Sequence, residues 1–589
     1  MNPVLRSVAI SVGVTIGAGA LAFGAAAPPE RCPDIDVPAA RQAAGAAVAW
    51  IVDNQQPDGR WLYEYDRGRD AMSDDYNIVR HAGVMTSLYQ AAAAGHDGAL
   101  DSADRGLAYA LDHVVERDDW ASVTTTTLVQ TGTNALLIAA LVERRELTGD
   151  TAYDDLLARL GRFLTSQLEP SGALLAYYDL GPDRPRAGTY SIYYTGEAYW
   201  ALGRLHQTDP GAGWGAQADR VGGYIATVRD DVEDIWPPLA DHWAGYGLAT
   251  TAAFPERRAG EPLTDDELTY VRRLGGLIGQ RVRSISQRFG PWGVAVRGTF
   301  TPRGGGYGVF GEGLTGLWRA AQLDDRLAGQ RGQLAERATC IAGLAIEAQA
   351  TEADASAYAE PGKVEGAWFI DDVTRMDDQQ HALSAILMTI PILEAVPVDT
   401  GHTAPSAWLW LLVVIAAVNP VRAALGVPHR DRPTDRLAIA ALGGVAGALA
   451  LLGVGALSGW LIDVADTSRP AMRLAAGALL LISAGVDLVR VPAPHDDGLP
   501  GIQGALVPVA LPLVARPALI VAGLAVVADH GLALYGGALA VAVAALVAHL
   551  VPTALSDGQR VIYLWAARLL SALAVAGAVA LIVDAVFDI

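Results

Sequence analysis

The sequence predicts an all-α protein: an extracytoplasmic (α/α)6 toroid, six helical hairpins in a ring, followed by a six-helix transmembrane domain. Three observations predict it. A helix-loop-helix unit recurs six times between residues 37 and 395, its second helices starting roughly 45 to 70 residues apart, about the length of a hairpin with its loops. The 589-residue chain is 51% hydrophobic with a mean hydropathy of +0.25, too apolar for a wholly soluble protein, and the excess lies after residue 404. Its first 27 residues have the form of an export signal.

That first segment carries Arg6, an apolar run from Val8 to Leu21, and the small-residue end Gly24-Ala25-Ala26-Ala27 before Pro28-Pro29. It reads as a signal peptide or as an uncleaved anchor helix, and either exports the domain behind it. Cys32 and Cys340 are the only cysteines, and export would let them pair. No Cys/His cluster has the spacing of a zinc site, so no metal is expected, nor any cofactor.

Residues 28–400 are assigned to the toroid. Ser102 to Glu116 and Tyr153 to Leu168 place apolar residues at i, i+3, i+4 and i+7 beside a charged face, as outer helices should. Inner helices are expected to follow loops that hold the polar residues. The clearest is Asp74-Asp75-Tyr76-Asn77-Ile78-Val79-Arg80-His81-Ala82-Gly83; others begin near Gly132, Thr195, Asp241, Phe310 and Asp377. Gln55-Gln56-Pro57-Asp58-Gly59-Arg60-Trp61 is answered by Gln167 to Ala173, by Gln287-Arg288-Phe289-Gly290-Pro291-Trp292-Gly293 and by Gly366-Ala367-Trp368, with glycine serving tight turns. This Gln-x-x-x-Gly-x-Trp style of loop resembles the terpenoid-cyclase toroids, and the hairpin count resembles the six-hairpin glycosidase and sugar-epimerase toroids.

Residues 401–589 are assigned to the membrane domain. Apolar runs at about 405–426, 437–462, 471–490, 503–528, 532–553 and 562–587 are each long enough to span a bilayer. Arg422, His429, Arg430, Arg432 and Arg436 follow the first run and place that loop in the cytoplasm, hence the toroid outside. Asn419-Pro420, Met472 to Leu481 and Leu506-Val507-Pro508-Val509-Ala510-Leu511-Pro512-Leu513-Val514-Ala515-Arg516-Pro517 resemble the MarC family of integral membrane proteins. The resemblance implies a polytopic domain with transport as its expected activity, although Arg516 stands where that family usually has glycine. Asn419, Asp487 and Arg516 are the residues to watch there, because charge at membrane depth is costly, and Pro508, Pro512 and Pro517 are expected to break the fourth helix.

The charge of −21, with Lys363 the only lysine, excludes a basic face for nucleic acid. The partners expected are the lipid bilayer and an envelope polysaccharide or glycolipid. In a toroid the inner-helix starts ring one mouth. Carboxylates and histidines there, foremost Asp75, His81, Glu197 and Glu312, then Asp372 and Asp378, could share general acid and base work as in glycoside cleavage. Glu197 and Glu312 recur in Gly-Glu-Ala and Gly-Glu-Gly; His81, His242 and His381 hold nearly that place in three other repeats. Arg80, His242 and His381 could bind substrate, with Trp61, Tyr76, Tyr193, Tyr194, Trp243, Trp292 and Trp368 as stacking platforms for sugar rings. The alternative for each carboxylate is helix capping or a structural ion pair, and for His81 and His381 a place in the core. For the whole protein, the first expectation is a membrane-tethered carbohydrate enzyme. The alternative is a transporter or lipid-carrier handler whose toroid only binds or senses.

Overall fold

The computed structural model describes residues 30–235, 238–297, 302–395, 405–427, 433–465, 469–490, 505, 509–510, 514–549 and 557–587. Residues 1–27, expected to be an export signal, lie outside these, as do Pro508, Pro512 and the loop residues His429, Arg430 and Arg432. Two compact units emerge. One holds residues 31–286 and 302–395; the other holds residues 287–297 and the described residues from 405 onward.

Among the described residues, twelve long helices build the ring of the first unit. Outer helices are α1 (Val37–Asp53), α3 (Ala99–Leu111), α5 (Asp154–Ser166), α7 (Trp214–Thr227), α9 (Asp265–Ser286) and α11 (Arg331–Ala348). Inner helices are α2 (Ile78–Ala93), α4 (Thr131–Thr148), α6 (Tyr194–Thr208), α8 (His242–Ala252), α10 (Gly304–Leu323) and α12 (Met376–Glu394). Each inner helix packs on the next, and α12 returns to α2, so the ring closes. Burial separates the two sets. In α4 every residue from Thr131 to Val142 is buried, whereas α5 buries only Leu157, Leu160, Gly161, Phe163 and Leu164, one stripe of an amphipathic helix.

Short sheets tie the loops together at the inner-helix starts. β1 (Glu64–Asp66) pairs antiparallel with β2 (Ala71–Met72) and with β3 (Val373–Arg375), with Tyr65 opposite Thr374, so the loop of the first hairpin is stitched to that of the last. Side chains set several inner starts: Asn77 accepts from the N–H groups of Val79 and Arg80, and Asp241 from those of Trp243 and Ala244. A disulfide joins Cys32 to Cys340 of α11.

Two expected loops are helical instead. The third loop, around Trp292, forms a helix over Gly290–Arg297 and belongs to the second unit. Glu312 was expected near a helix start, yet α10 begins eight residues earlier, at Gly304. The glycine run Gly304-Gly305-Gly306 stays helical because it lies against neighbours too close for side chains; a Cβ at Gly304 would meet that of Trp368 at 2.6 Å.

The second unit contains α13 (Ala407–Val418), α14 (Pro420–Gly426), α15 (Pro433–Gly455), α16 (Ser458–Ala465), α17 (Arg469–Val489), α18 (Pro517–His530), α19 (Leu532–Ala548) and α20 (Asp557–Phe587). Among the described residues, four stretches are long and apolar enough to cross a membrane: Ala407–Gly426, Thr434–Gly455, Arg469–Val489 and Gly558–Ala585; α18 and α19 are shorter. Pro517 occupies the first turn of α18, where its missing N–H costs nothing. Asn419, at φ 49°, joins α13 to α14, caps Arg422 N–H and donates to Ala567 O and Ser571 Oγ. Asp487 is clamped between Arg422 and Arg516. Sequence reading missed a second cluster, in which the fully buried Arg473 forks onto both oxygens of Asp529 at 2.9 and 3.0 Å and reaches Asp584 at 3.2 Å.

Candidate functional site

Three adjacent inner helices, α8, α10 and α12, bring His242, Glu312 and His381 together. Glycine makes this possible. A Cβ on Gly308 would sit 2.2 Å from the carbonyl carbon of His381, and one on Gly313 would sit 3.3 Å from the Cα of His242. With hydrogen in both places, α10 lies close against its neighbours on both sides and Glu312 projects between their histidines.

Glu312 is fully buried. Its Oε1 accepts from the Tyr246 hydroxyl at 2.9 Å, and its Oε2 lies 2.6 Å from His381 Nδ1 and 3.9 Å from His242 Nε2. Gln380 Nε2 also lies 3.1 Å from His381 Nδ1, but the shorter contact to the carboxylate sets the tautomer: Nδ1 carries the proton toward Glu312, which leaves Nε2 as the basic nitrogen. The His381 side chain keeps 15% exposure, whereas the Glu312 side chain has none. Burial alone would discharge this imidazole, but the Glu312 carboxylate outweighs it and the net shift is upward. His242 goes the other way. Burial, with His381 beside it, holds its pKa well below the ordinary imidazole value, and its Nε2 has no hydrogen-bond partner among the described residues. The two rings meet edge to face at 5.1 Å.

These three side chains could also be imagined around a metal ion, since their ligand atoms all lie within 4.8 Å of one another. Two ligands of one tetrahedral zinc sit about 3.3 Å apart. The 2.6 Å separation of Glu312 and His381 is that of a shared proton.

Glu197 of α6 is buried, with Oε2 unpartnered among the described residues. Burial and the neighbouring Asp241 carboxylate push its pKa up to about 8, so it is mostly protonated at neutral pH. Asp241 itself caps α8 and pairs with the buried Arg229. Tyr193, 48% exposed, feels Asp241, Asp377, Glu197 and Arg80 around its hydroxyl and lies edge-on to His242 at 6.4 Å. Trp243 packs behind, stacked on Trp200 at 5.6 Å and 5.8 Å from the His381 ring.

The remaining sequence candidates lie elsewhere or serve structure. His81 is wholly buried: Nε2 donates to Gly106 O at 2.8 Å, Nδ1 accepts from the Tyr76 hydroxyl at 2.6 Å, and burial pushes its pKa down to about 4. Trp61 and Trp368, each 1% exposed, donate to Ser102 Oγ and Ala345 O and offer no face to a ligand. Asp378 is clamped by Arg303 and by the N–H groups of Gly305 and Arg375. Asp372 is exposed beside Arg67, and Asp75 is exposed in the loop before α2. Arg80 pairs with Asp377 at 3.1 Å and donates to the Tyr63 hydroxyl; Tyr194 accepts from Gln130 Nε2 at 3.1 Å. The side chain of Trp292 is outside the described residues. Sequence reading missed Tyr246, although it follows His242 by one helical turn and so shares its face.

No known family profile matches the sequence, and no curated relative matches it. The likeness to MarC proteins therefore rests on Asn419-Pro420 and the two apolar stretches alone. Among solved structures the chain is similar to the cellobiose 2-epimerase of Spirochaeta thermophila, with 14% identity and a TM-score of 0.42 over 61% of this chain and 98% of that one. It is similar to a D-mannose isomerase, with 14% identity and a TM-score of 0.40 over 61% and 97%. It is also similar to a glycoside hydrolase family 76 mannosidase from Bacteroides thetaiotaomicron, with 9% identity and a TM-score of 0.40 over 60% and 98%.

Proposed function

We propose that the toroid is a membrane-tethered, extracytoplasmic enzyme that moves a proton on a carbohydrate of the cell envelope, by isomerisation or epimerisation rather than glycoside cleavage. The observation that carries this is the buried Glu312 holding His381 by its Nδ1. Glycoside cleavage asks two carboxyl groups to reach opposite sides of a scissile bond. Glu312 cannot reach substrate, because it is wholly enclosed and both its oxygens are engaged by Tyr246 and His381. It positions the imidazole instead. His381 Nε2 then takes a proton from carbon next to a sugar carbonyl, and a second group supplies one at the far side or at oxygen. Neutral His242 and protonated Glu197 are the two groups suited to that role, their pKa values having been pushed apart from that of His381. The exposed ring of Tyr193 offers a face to the sugar.

The test is solvent exchange. Full-length protein in nanodiscs is incubated in D2O with a panel of reducing aldoses and disaccharides, and deuterium at C2 is followed by NMR. The expected result is incorporation that falls by a factor of about 10² to 10⁴ in His381→Ala. Glycosidic bonds cut without C2 exchange would replace this reading with hydrolysis.

A further inference from the structure

A cavity lies at the other end of the ring from the acid-base site, where the inner helices finish. It measures about 490 Å³, within the usual range for small-molecule sites. Residues from the second halves of all six inner helices line it, among them Glu143, Arg204, Trp318, Arg319, Gln322 and Met388. Tyr246 lines it too, and donates to Glu312, so one side chain touches both this cavity and the acid-base site.

Its cations are not equally occupied. Arg204 is held by Glu143 at 3.3 Å, Glu146 at 2.6 Å and Gln207 at 2.8 Å. Arg319 makes no hydrogen bond or ion pair among the described residues. It sits deep in the unit, deep enough that burial lowers its pKa, yet its side chain is exposed because the surface it presents is the cavity wall. Gln322, one turn further along α10, faces the same space and is likewise unengaged among the described residues. Within the cavity Arg319 feels the Glu143 carboxylate and Tyr246, but neither occupies its fork of N–H donors, and such a fork suits a carboxylate or phosphate. Trp318, Leu323, Met388 and Pro391 supply apolar wall around it.

We infer that this cavity is a second binding site, for a small ligand that combines one anionic group, held by Arg319, with a flat apolar body. The competing explanation is that Arg319 merely answers the partial negative charge of the surrounding helix ends. In that case no anion is needed.

The probe is 4-fluorobenzoate, titrated by 19F NMR onto full-length protein in phosphatidylcholine nanodiscs, against empty nanodiscs and the neutral analogue 4-fluorobenzamide. Saturable binding of the benzoate is expected, weakened about tenfold or more in Arg319→Gln and largely kept in Arg319→Lys. Ala249→Phe, which fills the cavity without touching its charges, should abolish it. Benzoate binding no better than to empty nanodiscs overturns the inference, as does equal binding of the benzamide or an affinity unchanged in Arg319→Gln. The result is independent of whether the opposite mouth is catalytic.

Discussion

His242 and His381 face one carboxylate, and their surroundings drive their basicity apart. For His381 the folded pKa is raised by Glu312 against the pull of burial, so the protonated imidazole stabilises the fold. That contribution is full below the unfolded value of about 6.5 and is lost as pH rises through the raised pKa. As a base His381 works deprotonated, so the rising limb of kcat/KM should lie above pH 6.5 or so. Glu312→Gln leaves burial opposed only by the weaker pull of Asp377 and Asp378. The limb should then move to lower pH while kcat/KM falls by about a hundredfold or more, because the ring is no longer held in one tautomer. A pH profile of both proteins checks this; a wild-type limb below that of the variant would remove Glu312 from its positioning role. His242, Glu312 and His381 could all be named from the sequence, since Glu or His stands near the expected start of an inner helix in five repeats. Which of them would meet was not legible: His81 holds nearly the same place in its repeat as His381 but turns into the wall, where Gly106 offers a carbonyl.

At the scale of helices, the site depends on how closely α10 approaches α12. Gly308→Ala would place a Cβ 2.2 Å from the carbonyl carbon of His381, against backbone that cannot swing aside as a flexible side chain would. The variant should be destabilised by roughly 1 to 3 kcal/mol, and its activity should fall because Glu312 and His381 are pried apart. Gly223→Ala in α7 has nothing within 4 Å of the new Cβ and should be neutral or slightly stabilising, as alanine suits a helix better than glycine. Thermal melts with activity assays on both variants compare the two sites directly. The same glycines explain a miss in reading the sequence. Six hairpins were visible from hydrophobic periodicity and loop composition, but Gly304-Gly305-Gly306 reads locally as a loop and becomes helix only through the packing it permits. Trp61 and Trp368 mislead in the converse way. An aromatic beside a turn looks like a platform, and only the fold shows that Gly106 and Gly304 open slots in the wall to receive them.

Over the whole molecule, the Cys32–Cys340 bond links residues 308 apart and fastens the segment before α1 to α11. Cross-links that close long loops act mainly on the unfolded chain, and the chain-entropy relation puts this one at roughly 6 kcal/mol. Such bonds persist in oxidising compartments. The proposed export of the toroid therefore carries an expectation about this bond, besides its effect on stability. Both consequences are measurable on one preparation. Cells quenched in acid and treated with a maleimide reagent under denaturing conditions should yield protein that gains mass only after prior reduction. Cys32→Ser should then melt well below the wild type, and reduction should lower the wild-type melting temperature to meet it. Cysteines freely alkylated without reduction would place the toroid in a reducing compartment and remove the envelope from its substrate.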